Sequence, residues 1–197
     1  MMNLKTLALA AVLSLVFCGC ESVEMVDTEH DRGPAVAGID YRDFDATAQN
    51  MIASMLETGC LNKPDGGRYV IAISRIKNDT TRDFDTDQLM KTIRVELLRS
   101  GKAAITTAVG INGPEDAMSK MSRELRADAE FNQNTIAGQG QMIAPDLSIS
   151  GKILEQKLRI TSSKTQIEYY FQLSLTDLKT GVAIWEDQQK IIKRQRR

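Results

Sequence analysis

The spacing of apolar residues changes character several times along the chain. Leu7 to Phe17 is an apolar run broken only by Ser14. Residues 21 to 40 carry no periodic pattern. From Phe44 onward, apolar side chains fall at Phe44, Ala48, Met51, Ile52, Met55 and Leu56. That spacing places them on one face of a helix. Asp43 or Asp45 suits its start and Gly59 its stop. Residues 68 to 76 are nearly continuous in apolar character, which predicts a strand covered on both faces. A polar loop, Lys77 to Asp83, follows. A second helical stripe runs through Leu89, Met90, Ile93, Leu97 and Leu98 and stops at Ser100-Gly101. Residues 102 to 108 predict another strand. Gly113-Pro114-Glu115 predicts the opening of a third helix, with proline at a natural first position and a buried stripe of Met118, Met121, Leu125 and Ala129. Residues 132 to 144 read as loop.

The last third switches to strand periodicity. Residues 147–160, 166–175 and 182–192 predict three strands. The middle one alternates without a break: Ile167, Tyr169, Phe171, Leu173 and Leu175 point one way, and Gln166, Glu168, Tyr170, Gln172 and Ser174 the other. One face then meets a core, with Trp185 also expected inside, and the other faces water or a partner. Turns at Ser162-Ser163 and at Leu178 to Gly181 make the three an antiparallel meander. A phase shift at Ile153-Leu154 suggests a bulge in the first of them. The predicted order, α-β-α-β-α-β-β-β, describes an α+β domain: one mixed sheet packed with helices.

The amino-terminal run is too short for a bilayer span, which needs about 20 residues, and follows Lys5, so residues 1–19 read as a cleavable signal peptide. Phe17, Cys18 and Gly19 then precede Cys20 as a lipobox precedes its acylated cysteine, with Phe17 an imperfect leucine substitute. Cys20 is the expected lipidation site. Residues 20–40 form a polar, acidic tether, and the domain occupies 41–197. About 20 extended residues reach at most roughly 70 Å. Glu21 after the cysteine favours the outer membrane facing the periplasm over the inner membrane. Loss of the signal and acylation of Cys20 leave Cys60, so no disulfide framework forms; Cys60 near a helix end reads as a small buried apolar residue.

Charge and chemistry narrow the function. The formal net charge is −1, and nothing points to nucleic acid. The basic run Lys190, Lys193, Arg194, Arg196 and Arg197 reads as a solvated end. The single histidine, His30, lies in the tether, so the domain holds no histidine-based catalytic arrangement. No zinc-ligand spacing occurs, and Gly138-Gln139-Gly140 lacks the Lys-Ser/Thr of a phosphate-binding loop. The expectation is a binding module, not an enzyme, with no cofactor and no metal. Contact candidates are Asn78, Thr80 and Arg82, in a polar loop at a strand end, and Tyr170 on the wet face. Asn78 and Thr80 could equally serve the backbone of their own turn.

Between residues 38 and 192 the chain resembles the LpoB family, lipoprotein activators of penicillin-binding proteins. The resemblance is carried by Val70 to Ile76 leading into Asn78 and Thr80, and by Phe84-Asp85. It continues through Leu98-Arg99-Ser100-Gly101-Lys102, Pro145-Asp146 and Ser150-Gly151-Lys152-Ile153. Leu173 to Thr176, Asp177-Leu178-Lys179-Thr180-Gly181, Trp185-Glu186 and Lys190 complete it. The resemblance implies a small α+β domain similar to the amino-terminal domain of TolB and to part of CsgG. It also implies a partner, a bifunctional penicillin-binding protein, whose peptidoglycan synthesis the chain would activate. The tether here is shorter than the long, Pro-rich segment of the well-known members. The alternative is a structural or assembly lipoprotein of an envelope secretion or Tol-like complex.

Overall fold

The computed structural model describes residues 25–110 and 116–196. The expected signal peptide, the expected lipidation site Cys20, the expected opening of the third helix at 113–115 and Arg197 lie outside the described residues. Two units separate. In the first, ending at Ala35, Asp27 accepts hydrogen bonds from the Glu29 N–H and the His30 ring, and Asp31 accepts from the Gly33 N–H. The second begins at Val36.

Its first helix, α1, spans Tyr41–Glu57 and buries Phe44, Ala48, Met51, Ile52 and Met55, while Leu56 is exposed. Neither Asp43 nor Asp45 is the cap. Asp40 is: its side chain accepts from Arg42 N and Asp43 N, and Asp43 returns a bond to Asp40 N at 2.8 Å. This reciprocal box satisfies donors at both positions, where an N-cap contributes about 1 kcal/mol. Burial would raise the Asp40 carboxyl, but the Arg42 and backbone hydrogen bonds and the Lys193 charge hold it below the ordinary value. Gly59, at φ 70°, ends the helix as expected, in a conformation that costs a side-chain-bearing residue energy.

Strand β1 (Tyr69–Asp79) leads to helix α2 (Thr86–Arg99) and the short strand β2 (Ala103–Ile105). β1 takes in Lys77 to Asp79, which the sequence pattern placed in a loop. It is not covered on both faces. Ile71, Ile73 and Ile76 are buried on the helix side, and the opposite side is at most half-buried. Helix α3 (Ala117–Glu124) is capped by Asp116 and buries no residue. The stripe expected to be core is on the surface: Met118, Met121 and Ala129 are exposed, and Leu125 is half-buried. The helix is present but ends at Glu124, before Leu125 and Ala129, and it packs no side chain into the core. Cys60 is also only half-buried, its thiol directed at the Met55 carbonyl oxygen.

The meander follows as β3 (Leu147–Arg159), β4 (Lys164–Asp177) and β5 (Ala183–Arg196). The sheet order is β2-β1-β3-β4-β5. β1 pairs in parallel with β2 and β3, and the rest is antiparallel. This is the α+β fold with the element order read from the sequence. α1 lies against β5 and α2, and α2 against β1 and β2. Between the helices and the sheet, Phe44 stacks edge-on to Phe171 at 6.2 Å and tilts against Phe84 at 5.8 Å. Trp185 is buried as expected and donates to Ser54 Oγ.

Asp146 joins three segments at the foot of β3. Its carboxylate accepts from Val70 N at 2.9 Å and Lys63 Nζ at 3.2 Å, and its carbonyl accepts from Leu178 N. Asp177 in turn accepts from the N–H groups of Lys179 and Thr180, closing the β4–β5 turn.

The bulge expected at Ile153-Leu154 is absent. β3 pairs with β4 without a break from Leu147↔Asp177 to Arg159↔Thr165. One irregularity is in β1: Ile73 pairs with Ile149 and Ile76 with Gly151, so β1 carries an extra residue there; a second is in β5, where Leu175 pairs with Trp185 and Thr176 with Ala183. Gly151 lies opposite the bulge in β1 and close against β4. A Cβ at Gly151 would stand 2.3 Å from the Gln172 carbonyl oxygen, 2.6 Å from Leu173 and 3.2 Å from Ile76. The carbonyl belongs to the β3–β4 ladder and cannot retreat. Gly151→Ala is expected to destabilise the domain by about 3 kcal/mol or more, through overpacking against fixed backbone. Thermal unfolding followed by circular dichroism checks this, and an unchanged midpoint would contradict it.

Candidate functional site

The alternation of β4 sorts the sheet into two faces. Tyr169, Phe171, Leu173 and Leu175 face the helices. Gln166, Glu168, Tyr170, Gln172 and Ser174 lie on the open face, and β5 matches them with Arg194, Lys190, Gln188 and Glu186. Cross-strand pairs fill that face: Gln172 with Gln188 at 2.8 Å, Ser174 with Glu186 at 2.8 Å and Arg194 with Gln166 at 3.0 Å. Tyr170 donates to Glu168, and Lys190 stands 5.9 Å from the Tyr170 ring centre. The Tyr170 hydroxyl is shifted up, first by that hydrogen bond. Glu168 is shifted down by the same bond and by Gln166.

Asn78, Thr80 and Arg82 come together at the far end of β1, while Tyr170 lies on the opposite side of the sheet. The four candidates therefore do not form one patch. Asn78 and Thr80 spend their polar atoms on the turn itself. Asn78 Oδ1 accepts from Thr80 N and Thr80 Oγ1, and both Asn78 Nδ2 and Thr80 Oγ1 donate to the Arg82 carbonyl at 2.9 Å. What the turn presents is the side chain of Arg82.

Beside this turn is a group that composition alone does not single out. Glu155, with its side chain 1% exposed, accepts from Thr81 N and Thr81 Oγ1 at 2.8 Å each. Lys157 Nζ stands 2.9 Å from its other oxygen, as an ion pair rather than a directed hydrogen bond, and also donates to Thr81 Oγ1. Burial alone would raise the Glu155 carboxyl, but Lys157 and the two Thr81 donors outweigh it and hold it below its ordinary value. The Tyr169 hydroxyl, fully enclosed, has no hydrogen-bond partner among the described residues. Burial and then the Glu155 charge raise its pKa, partly offset by Arg82, which faces it without hydrogen-bond geometry.

The basic run of β5 is not a loose end, because it belongs to the edge strand. Lys193 is mostly buried, paired with Asp43 and donating to the Gly38 carbonyl at 2.6 Å. Across the far halves of the meander, residues 155–168 and 190–196, seven lysines and arginines meet two acids. Both acids, Glu155 and Glu168, are already engaged. In a chain of net charge −1 this end is strongly positive. Leu158, Ile160 and Ile192 are exposed within it.

Among the described residues no group of three or more His, Cys, Asp or Glu side chains could hold a metal, and no helix is long and apolar enough to cross a membrane. An apolar cleft of about 410 Å³ on the open face is lined by Ala72, Ser74, Val109, Pro145, Ser148 and Leu178, none of them an acid, base or strong nucleophile. The site offers contact chemistry: charge, hydrogen bonding and one aromatic ring.

The family model described as peptidoglycan-synthase activator LpoB matches residues 43–191. The chain belongs to this family of activators. Among solved structures it is similar to the LpoB carboxy-terminal domain of Escherichia coli, with 13% identity, a TM-score of 0.45 and 76% of this chain against 98% of that one. It is similar to the Salmonella enterica LpoB domain at 14% identity and a TM-score of 0.43, with the same coverage. It is also similar to lipoprotein GNA1162 of Neisseria meningitidis at 12% identity, a TM-score of 0.35, and 64% of this chain against 83% of that one. Comparison with curated proteins found no match.

Two expectations follow. Tyr169→Phe removes a buried hydroxyl without a partner and should leave stability unchanged or raise it by up to about 1 kcal/mol. A clear loss in chemical denaturation would show that the hydroxyl has a partner. Glu155, whose folded carboxyl is held below its ordinary range, contributes stability that is present above that ordinary range and lost as pH falls through its folded value. Glu155→Gln should therefore lower stability at neutral pH and flatten the acid limb of a pH–stability curve. An unaltered acid limb would remove Glu155 from the account.

Proposed function

We propose that this chain is a lipid-anchored periplasmic regulator that docks on a bifunctional penicillin-binding protein and raises its peptidoglycan-synthesising activity. The observation that carries this reading is the activator-family match across residues 43–191. Activation needs no chemistry from the chain. It requires only that the chain bind the active arrangement of the synthase more tightly than the resting one, so that binding shifts the population.

The docking surface we assign is the basic end of the meander on the open face, with Lys190, Arg194 and Tyr170, and Arg82 is a separate contact on the other side of the sheet. Its charge favours an acidic patch on the partner. Leu158, Ile160 and Ile192 supply apolar contact area within it. Anchoring through Cys20, in the outer membrane, is part of the same reading. The short tether then keeps the domain within roughly 70 Å of its membrane, so the synthase must be met close by.

The test is a glycan-polymerisation assay with a purified bifunctional penicillin-binding protein from the same bacterium and the chain beginning at residue 21. The chain should raise the rate, and the double variant Lys190→Glu/Arg194→Glu should weaken binding by about tenfold or more and reduce its salt dependence. No rate change with wild type, and capture of secretion or Tol-like components instead, would replace the activator reading with the assembly one. Full activity of the double variant would move the docking surface elsewhere.

A further inference from the structure

The segment Val36–Asp40 ahead of α1 is held as a strap across the helix-side face, and its hold passes through Arg82. Ala37 and Ile39 pack against the core. Gly38 is buried between them. A Cβ at Gly38 would stand 3.1 Å from Arg82 Nη1 and 3.4 Å from Arg82 Cζ, so the guanidinium lies directly over the glycine. From the other side, Lys193 Nζ donates to the Gly38 carbonyl at 2.6 Å and pairs with Asp43, which itself binds Asp40 N. At this one residue the strap is thus bonded by Lys193 and covered by the Arg82 guanidinium, two cations from different elements.

The two cations differ in what else holds them. Lys193 has a carboxylate of its own, Asp43. Arg82 has no carboxylate within ion-pair range among the described residues. Its backbone, by contrast, is well anchored by the Asn78–Thr80 turn and by the Thr81–Glu155 bonds next to it. An immobile backbone carrying an unmatched guanidinium over a buried glycine can act as a latch. A carboxylate forms paired, charge-assisted hydrogen bonds with arginine that the present contact does not provide.

We propose that Arg82 latches the Val36–Asp40 strap and that clustered carboxylates on a bound partner compete for it, lifting the strap from the domain. That the competitor is the synthase rests on the function proposed above, whereas the carboxylate chemistry does not. Release of the strap frees the last five residues of the tether, which hold up to about 17 Å of its reach. Docking and leash length are then coupled: the bound domain gains slack that the free domain lacks.

Hydrogen–deuterium exchange on the chain beginning at residue 21 tests both halves. Arg82→Ala should raise exchange at Ala37–Ile39 by tenfold or more, with α2 and β4 protection unchanged. Equal exchange in wild type and variant would overturn the latch. Should Arg82→Ala unfold the domain, Arg82→Lys keeps the charge but loses the flat guanidinium, and should give a smaller rise at the same amides. For the competition, poly-L-glutamate added to wild type at saturation should raise exchange at residues 37–39, and this rise should be absent in Arg82→Ala. No rise at saturating poly-L-glutamate would overturn the competition whatever the synthase does. Failure of the synthase to bind in the activity assay, with the poly-L-glutamate effect present, would count against the proposed partner alone.

Discussion

The unbroken ladder between β3 and β4 is the constraint on which the rest of the domain depends. Thirteen consecutive residue pairs, from Leu147↔Asp177 to Arg159↔Thr165, fix which side chains face the helices. A slip of one residue would turn Tyr169, Phe171, Leu173 and Leu175 to solvent and bring Glu168, Gln172 and Ser174 into the core. With the register set, Phe171 receives Phe44, and β3 offers its free edge to β1. Gly151 sits in the middle of this ladder, opposite the extra residue of β1. The bulge, the glycine and the ladder meet where a parallel pair joins an antiparallel meander.

The two faces this register creates differ in purpose. The helix side carries nearly all the buried apolar area. The open side is polar, but its groups are largely matched with one another, so it is wet without being sticky. The unmatched positive charge gathers where the meander runs past the helices. A domain arranged this way recognises charge at one end and stays inert over the remaining face.

Much of this was legible in the sequence, because strict periodicity has a single geometric meaning. The alternation in β4, the α1 and α2 stripes, the element order and the core position of Trp185 could be read directly. The failures share a physical cause. Met118 and Met121 have helical spacing, but spacing cannot say whether a second surface exists to cover them. The helix start was assigned to Asp43 or Asp45, and only the reciprocal hydrogen bonds identify Asp40 as the cap. The run from Lys190 to Arg196 is largely solvated as expected, but the strand it forms beyond residue 192 and the pairing of Lys193 with Asp43 were not visible, because charge obscures strand periodicity. The contact site was the least legible part. Asn78, Thr80 and Arg82 were found through loop character, but Gly38 meets Arg82, Glu155 meets Thr81 and Lys193 meets Gly38 only through tertiary packing between distant stretches of chain.

The parallel pairing of β1 with β3 also sets an order of assembly. β3, β4 and β5 are neighbours in sequence and need only short turns to meet. β1 meets β3 across a separation of 76 residues at Val70 and Asp146. Closing so long a loop costs about 2.5 kcal/mol more in chain entropy than closing a four-residue turn. The meander is therefore the natural early structure, with β1 and its helices docking afterwards onto an edge already formed. The same slow growth of closure cost gives the excursion between β2 and β3 wide freedom: doubling its length would cost only about 0.6 kcal/mol. That stretch, with α3 on it, is where the chain can acquire new surface without disturbing the sheet.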